Sequence, residues 1–345
     1  NLPITIVQAS GLLTVGTGEL PTPVAIGPTN PIPAEVAAAI EFWERLEGMR
    51  VALTTAHVVG GTNNYNELVL STTAPASARG VIIGGADGPS TDRVVVEAAW
   101  RRRIPRANAG ATFRQPVVGV VHYGWGMYRG IADGESQPTP GDSQPQHSAL
   151  RGDKHSLTVA TFNVQNLHVG TTKTRVRRLA AVITDNLNAP DIIALQEVQD
   201  DSGPTNDAVV TGASSVAALL AELGDAYRYI EIAPDNLADG GQPGGNIRNA
   251  FLWKPARVKL VQHGDADART GVSIAASGQL SHSPGRIEPM HAALKNSRKP
   301  LIAEFEFGGA RLVVINLHLP SRRGDDPLFG SRQPPVQHSL EQRVA

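Results

Sequence analysis

The sequence predicts an α+β chain: a small all-β domain, then a domain of two packed sheets covered by helices. Three observations predict it. Short alternating apolar runs separated by Gly, Asn and Pro turns fill residues 47–130. Beyond residue 155 strand-like and helix-like periods alternate. In that second stretch strands outnumber helices, which fits stacked sheets better than one doubly wound sheet.

Taken in order, residues 1–46 are Pro-, Gly- and Thr-rich and read as an extended lead-in. It carries a short helix after Pro33, with Val36, Ile40 and Trp43 on one face and Gly48 as its stop. Runs at 49–53, 68–70, 81–83, 94–96 and 117–121 predict the strands of a small barrel or sandwich over 47–130. Residues 131–154 are polar, without periodicity, and read as a linker. A second domain is expected over 155–345. Its first strand covers 157–164, and a helix follows with Val176, Leu179, Ala180, Ile183 and Leu187 on one face. Residues 191–195 form a short, continuously apolar buried strand. A second helical stripe of Val216, Leu219, Leu220 and Leu223 is closed by Gly224. Strands follow at 227–232, 250–253, 301–307 and 311–319, the last two joined as a hairpin through Gly308 and Gly309.

A length of 345 residues suits two or three domains. The formal net charge is −1, so no global positive field recruits a polyanion; local patches or a metal ion must do so. The absence of cysteine removes disulfides, thiolate metal sites and thiol nucleophiles. No apolar run approaches the roughly 20 residues that span a bilayer. The chain begins at Asn1 without a charged-then-apolar leader, so a processed or trimmed N-terminus is expected.

The chemistry concentrates in two segments, Thr161-Phe-Asn-Val-Gln-Asn-Leu167 and Pro190-Asp-Ile-Ile-Ala-Leu-Gln-Glu-Val198. A buried strand delivers Glu197 at its C-terminal end, where α/β sheets build their sites. A carboxylate there needs a partner, and a hard divalent cation with oxygen ligands is one. Singly, Glu197 reads as a strand-end salt bridge and Asn163 as a turn residue. Their co-occurrence in these two contexts shifts the balance toward a functional site.

These two segments resemble the first motifs of the endonuclease/exonuclease/phosphatase superfamily. In that family the Asn and Glu hold a catalytic metal and the scissile phosphate, which the resemblance assigns here to Asn163 and Glu197. Ser297-Arg-Lys-Pro-Leu301 resembles the family's Arg-x-Pro element, giving Arg298 a place near the phosphate. Val314-Ile-Asn-Leu-His-Leu-Pro-Ser-Arg322 resembles its Asn-x-His-x-x-Ser-Lys/Arg motif. This implies phosphate contact or leaving-group protonation by His318, and substrate binding by Asn316, Ser321 and Arg322. Residues 241–249, 283–287 and 324–330 resemble large secreted bacterial nucleases that carry an OB-like domain before the catalytic one. Asn249 stands where such relatives have an apolar residue.

The resemblance implies a four-layer α/β/β/α sandwich, here incomplete, after an OB-like β-domain. It implies a secreted, Mg²⁺-dependent endonuclease for DNA, with RNA as a further substrate and Mn²⁺ or Ca²⁺ as alternative ions. The family's closing Asp-x-Asn motif and Asp-His pair do not occur between His318 and Ala345. The chain is therefore expected to hold the N-terminal part of the domain and to be inactive by itself. Two other readings stand beside this one: a phosphatase or phosphodiesterase for phospholipids or inositol phosphates, and a non-catalytic secreted binding protein. Lipid docking calls for an exposed aromatic or aliphatic hairpin. None is legible in the sequence, so no membrane partner is expected, and no protein partner is implied.

Arg101, Arg102, Arg103 and Arg106 beside Trp100 could track phosphates; a solvated loop is the reading favoured for such a run. Arg175, Arg177 and Arg178 open a helix and are expected to face solvent or pair with acids. The remaining histidines show no zinc spacing. The Gly240–Gly245 cluster lacks the Lys-Ser/Thr of a phosphate loop and reads as a turn.

Overall fold

The computed structural model describes residues 10–11, 13–75, 89–98, 103–134, 136–142, 144–224 and 226–344. The run at 81–83, Trp100, Arg101 and Arg102 lie outside them. The chain forms two compact units, Asn1–Gln144 with Gly324–Gln337, and Pro145–Arg323 with His338–Ala345.

Among the described residues, unit 1 has nine strands: β1 (Val24–Ile26), β2 (Arg50–Leu53), β3 (Ala56–Gly60), β4 (Glu67–Ser71), β5 (Val94–Ala98), β6 (Thr112–Phe113), β7 (Val117–Gly124), β8 (Met127–Ala132) and β9 (Pro138–Thr139). They pair in the order β1-β2-β7-β8-β5-β4-β3-β6-β9. Along this path of described strands β1–β2 and β5–β8 are parallel and the other pairs antiparallel. The lead-in is therefore not only a spacer, because its residues 24–26 add an edge strand. Helix α1 (Val36–Glu44) starts where Glu35 accepts hydrogen bonds from the backbone N–H of Ala37 and Ala38. It lays Ala39 and Trp43 into a core of Val51, Leu53, Leu68, Leu70, Val94 and Val121. Residues 324–337, which the sequence pattern groups with the second domain, belong to unit 1, and Phe329 enters its core.

Unit 2 contains two sheets. The first is β10 (Val159–Leu167), β11 (Ile192–Val198), β13 (Arg248–Trp253) and β12 (Arg228–Glu231) in that spatial order, with β10–β11 parallel. The second pairs β14 (Lys259–Val261), β15 (Gly285–Arg286) and β17 (Ala310–Asn316) with the central β16 (Leu301–Phe307). Helices α2 (Lys173–Ala181) and α3 (Ala213–Glu222) cover the first sheet. Strand β11 is apolar on both faces because it is buried on both. Ile193 and Leu195 pack toward Val176, Ile183, Val216 and Leu219. Ile192 and Ala194 pack with Phe251, Leu301, Ala303 and Phe305 of the intersheet core. Past Ala181 the second helix continues as a π-turn over Val182–Asn186. Residues Gly308 (φ 57°) and Gly309 (φ 80°) close the β16–β17 hairpin in the left-handed geometry that a two-residue turn requires.

Candidate active site

Strands β10 and β11 pair in register from Val159↔Ile192 to Asn163↔Gln196, then the register shifts before Leu167↔Val198. Three residues of β10 thus stand opposite Glu197 alone. On the other side of β11, pairing with β13 also shifts between Leu195 and Val198, leaving Gln196 and Glu197 opposite Asn249. The two irregularities coincide at Glu197, which adopts φ 63°. A non-glycine residue held in the left-handed region costs roughly 1–3 kcal/mol and persists only when its surroundings over-determine it. Gln165 (φ 52°) and Asn166 (φ 59°) lie in the same region on the facing strand.

The distortion turns Glu197 toward Asn163, whose Nδ2 donates to Glu197 Oε1 at 2.8 Å. Asn163 Oδ1 in turn accepts from the Gln165 backbone N–H at 2.8 Å, so both ends of the amide are fixed. From the segment just beyond β17, His318 Nε2 lies 3.6 Å from the same Glu197 oxygen, too long for a hydrogen bond. Arg298 Nε donates to His318 Nδ1 at 3.2 Å and Arg298 Nη2 to the Leu319 carbonyl at 3.2 Å. Since a guanidinium can only donate, Nδ1 accepts and the imidazole carries its proton on Nε2. Burial pushes the His318 pKa below its ordinary value and the Arg298 charge pushes it further down, against a weaker upward pull from Glu197. Burial likewise lowers Arg298, with Glu197 and Asp239 pulling it back up. The result is a carboxylate, a neutral imidazole N–H and a guanidinium converging within a few ångströms.

Asn316 does not face this cluster. It is 1% exposed, donating from Nδ2 to the carbonyls of Leu195 (2.8 Å) and Ala250 (2.9 Å) and accepting from Gln196 Nε2 at 2.7 Å. Its amide joins the two sheets next to Gln196, the residue before Glu197, with all of its described hydrogen bonds inside the protein. Asn249 joins the same seam, donating to the Lys299 and Asn316 carbonyls at 3.0 and 3.4 Å. This accounts for a polar residue at a strand start where an apolar one is expected. Ser321 and Arg322 are exposed beyond β17, and no described hydrogen bond ties them to the cluster. Two supporting residues were given no role by the sequence reading, Gln196 and Gln199, whose Nε2 donates to Asn166 Oδ1 at 2.9 Å; Arg175, expected to face solvent or pair with an acid, instead donates to the Val164 carbonyl. The continuous apolar run of β11 could have pointed to Gln196, since a polar residue there interrupts a strand buried on both faces.

Among the described residues no group of three or more His, Asp or Glu side chains could hold a metal. Magnesium, however, is held by one or two carboxylates with waters and substrate phosphate oxygens completing its shell. Glu197 is partly exposed, Asn163 uses only Oε1, and no described hydrogen bond reaches Oε2. That set fits.

Residues 160–284 match the model of the Endonuclease/Exonuclease/phosphatase family, and residues 20–140 match that of a domain of unknown function (DUF8508). No curated protein matches the chain. Among solved structures, a D. rerio TDP2 humanized by 14 mutations is 20% identical, with a TM-score of 0.27, covering 48% of this chain and 49% of its own. The human Nocturnin catalytic domain with bound sulfate is 18% identical, TM-score 0.29, covering 49% and 52%. An endonuclease/exonuclease/phosphatase from Beutenbergia cavernae is 20% identical, TM-score 0.28, covering 48% and 38%. The chain thus spans about half the length of these solved chains, or less.

Proposed function

We propose that unit 2 belongs to a divalent-metal-dependent phosphodiesterase, a secreted endonuclease cleaving DNA, with RNA as a further substrate. The observation that carries this reading is the convergence of Asn163, Glu197, Arg298 and His318, drawn from four separated segments. The family match over residues 160–284 supports it. Glu197 would hold Mg²⁺ or Mn²⁺, which when bound supplies Lewis-acid polarisation of a phosphoryl oxygen. Asn163 fixes the carboxylate through its Oε1 contact. Arg298 neutralises phosphoryl charge as it builds, in a partly buried position where a fixed cation acts more strongly than in water. His318, neutral with its proton on Nε2, donates a hydrogen bond to a phosphoryl or leaving oxygen and does not act as the base. Proton removal from the attacking water falls to a group other than these four.

The test is Glu197→Gln in the full-length protein, assayed by Mg²⁺-dependent plasmid nicking. Loss of this charge is expected to remove about 3–4 kcal/mol of transition-state stabilisation, several hundredfold in rate, with the fold retained. Near-wild-type cleavage that stays sensitive to chelators would place the cation elsewhere.

A lipid phosphodiester is the second reading, and one feature of unit 1 favours it. Trp125, at the tip of the β7–β8 hairpin, is 85% exposed and held at φ 55°, an aromatic hairpin that the sequence alone did not reveal. Sedimentation with phosphatidylcholine vesicles that Trp125→Ser abolishes would support it; equal sedimentation of both proteins would remove it.

A further inference from the structure

Arg175 breaks a local rule. It sits in the first turn of α2, just after the Thr172 cap whose side chain accepts from the Arg175 N–H, where the helix dipole disfavours a cation. Its neighbours behave as an ordinary solvated face: Arg177 pairs with Glu222 at 3.3 Å and Arg178 is exposed. Arg175 instead turns back to β10. Its Nη2 donates to the Val164 carbonyl at 2.8 Å and also to the Gln165 carbonyl. These carbonyls lie in the stretch between Asn163 and Leu167 where the ladder is interrupted. The guanidinium thus takes up backbone acceptors that strand pairing leaves over, at the left-handed pair Gln165 and Asn166. Gln199 holds the same pair from the other side through Asn166 Oδ1.

We propose that Arg175 is a positioning residue for the Asn163–Glu197 pair, acting through the β10 bulge; its effect on cleavage rests on the function proposed above. The linkage is short. Arg175 holds the Val164 carbonyl and with it the peptide that carries the Gln165 N–H, that N–H fixes Asn163 Oδ1, and Asn163 Nδ2 fixes Glu197 Oε1. Without the guanidinium the left-handed pair relaxes toward extended backbone, and the Gln165 N–H turns away from Asn163. A lysine at 175 replaces the planar, pre-organised group by a mobile, strongly hydrated ammonium, so it holds the two carbonyls less firmly.

The experiment compares wild-type full-length protein with Arg175→Ala and Arg175→Lys. The side-chain amide of Asn163 is followed by NMR with ¹⁵N-asparagine labelling, Mn²⁺ affinity by calorimetry, and kcat and KM on plasmid DNA. In Arg175→Ala the Asn163 amide is expected to move to free-solution shifts. Mn²⁺ affinity and kcat should fall about 10–100-fold with KM little changed, as for residues that orient a metal ligand. Arg175→Lys should fall between, and methylguanidinium should restore Arg175→Ala. An unmoved Asn163 resonance with unchanged Mn²⁺ affinity in Arg175→Ala overturns the proposal. Should that variant not fold, the same null result in Arg175→Lys does so. A wild-type protein that neither binds Mn²⁺ nor cleaves DNA would sink the functional reading alone, and the NMR comparison then decides on Arg175 by itself.

Discussion

At the scale of single residues, the centre is defined by a protonation state and a strained backbone. Burial and Arg298 both lower the His318 pKa, so the imidazole stays neutral through and below its ordinary value of 6.5. If the neutral Nε2–H is the working form, the acid limb of the pH–rate profile should fall below pH 6.5. Arg298→Gln removes the repulsive charge and should move that limb toward higher pH. A limb that stays put would mean that another group titrates. The backbone makes a second prediction. Asn tolerates the left-handed region better than most residues, so Glu197→Asn should keep the protein's stability or raise it by up to ~1 kcal/mol, while cleavage is lost. The pair of readings, chemical denaturation and nicking, separates strain held for function from strain that merely accompanies the fold.

At the scale of elements, two sheets meet along an amide seam. Asn316 on β17 satisfies backbone carbonyls of β11 and β13, and Gln196 satisfies Asn316. Leaving buried polar groups without partners costs about 1–3 kcal/mol each. Asn316→Ala should therefore lower the unfolding free energy by at least that much in a urea titration, and cleavage should weaken as the sheets lose registry next to Gln196. Strand β16 makes a different statement through Glu304, which is fully buried. Burial pushes its carboxyl up, but the Leu280 N–H, His263 and Arg311 together outweigh this and hold it below the usual 4.5. A carboxylate with a lowered folded pKa contributes stability that is complete above about pH 4.5 and lost as the pH falls through the folded value. Glu304→Gln should accordingly flatten the loss of stability below pH 4.5; an unchanged acid slope would assign it to other carboxylates.

At the scale of the whole molecule, the charge balance bears on how a polyanion is engaged. With a net charge of −1 there is no long-range steering, and contacts must be local. Arg103 and Arg106 are exposed in unit 1, in keeping with a solvated loop. Replacing Arg101, Arg102, Arg103 and Arg106 with Ser should leave the salt dependence of DNA binding unchanged. A fall in its slope of about 0.9 for each lost contact would show instead that the loop tracks phosphates. Among the described residues no helix is long and apolar enough to cross a membrane.

Much of unit 2 was legible because its elements obey local rules. The continuous apolar run at 191–195 predicts a strand buried on two faces, and the 3.6-residue spacing of Val216, Leu219 and Leu223 predicts a covering helix. Gly308-Gly309 predicts the tight turn between β16 and β17. Glu197 could be named from the apolar run that it ends, whereas Asn163, Arg298 and His318 took their roles from the resemblance of their segments to family motifs. What tertiary structure alone decided is how those residues face one another. Two bulges meeting at Glu197, the guanidinium of Arg175 at an interrupted ladder and the amide seam of Asn316 join residues up to 121 positions apart. None leaves a periodic trace, because each satisfies backbone groups that regular pairing leaves over, and which groups are left over is known only once the strands have paired. The sequence determined which residues are available for the chemistry; the pairing of strands determined their geometry.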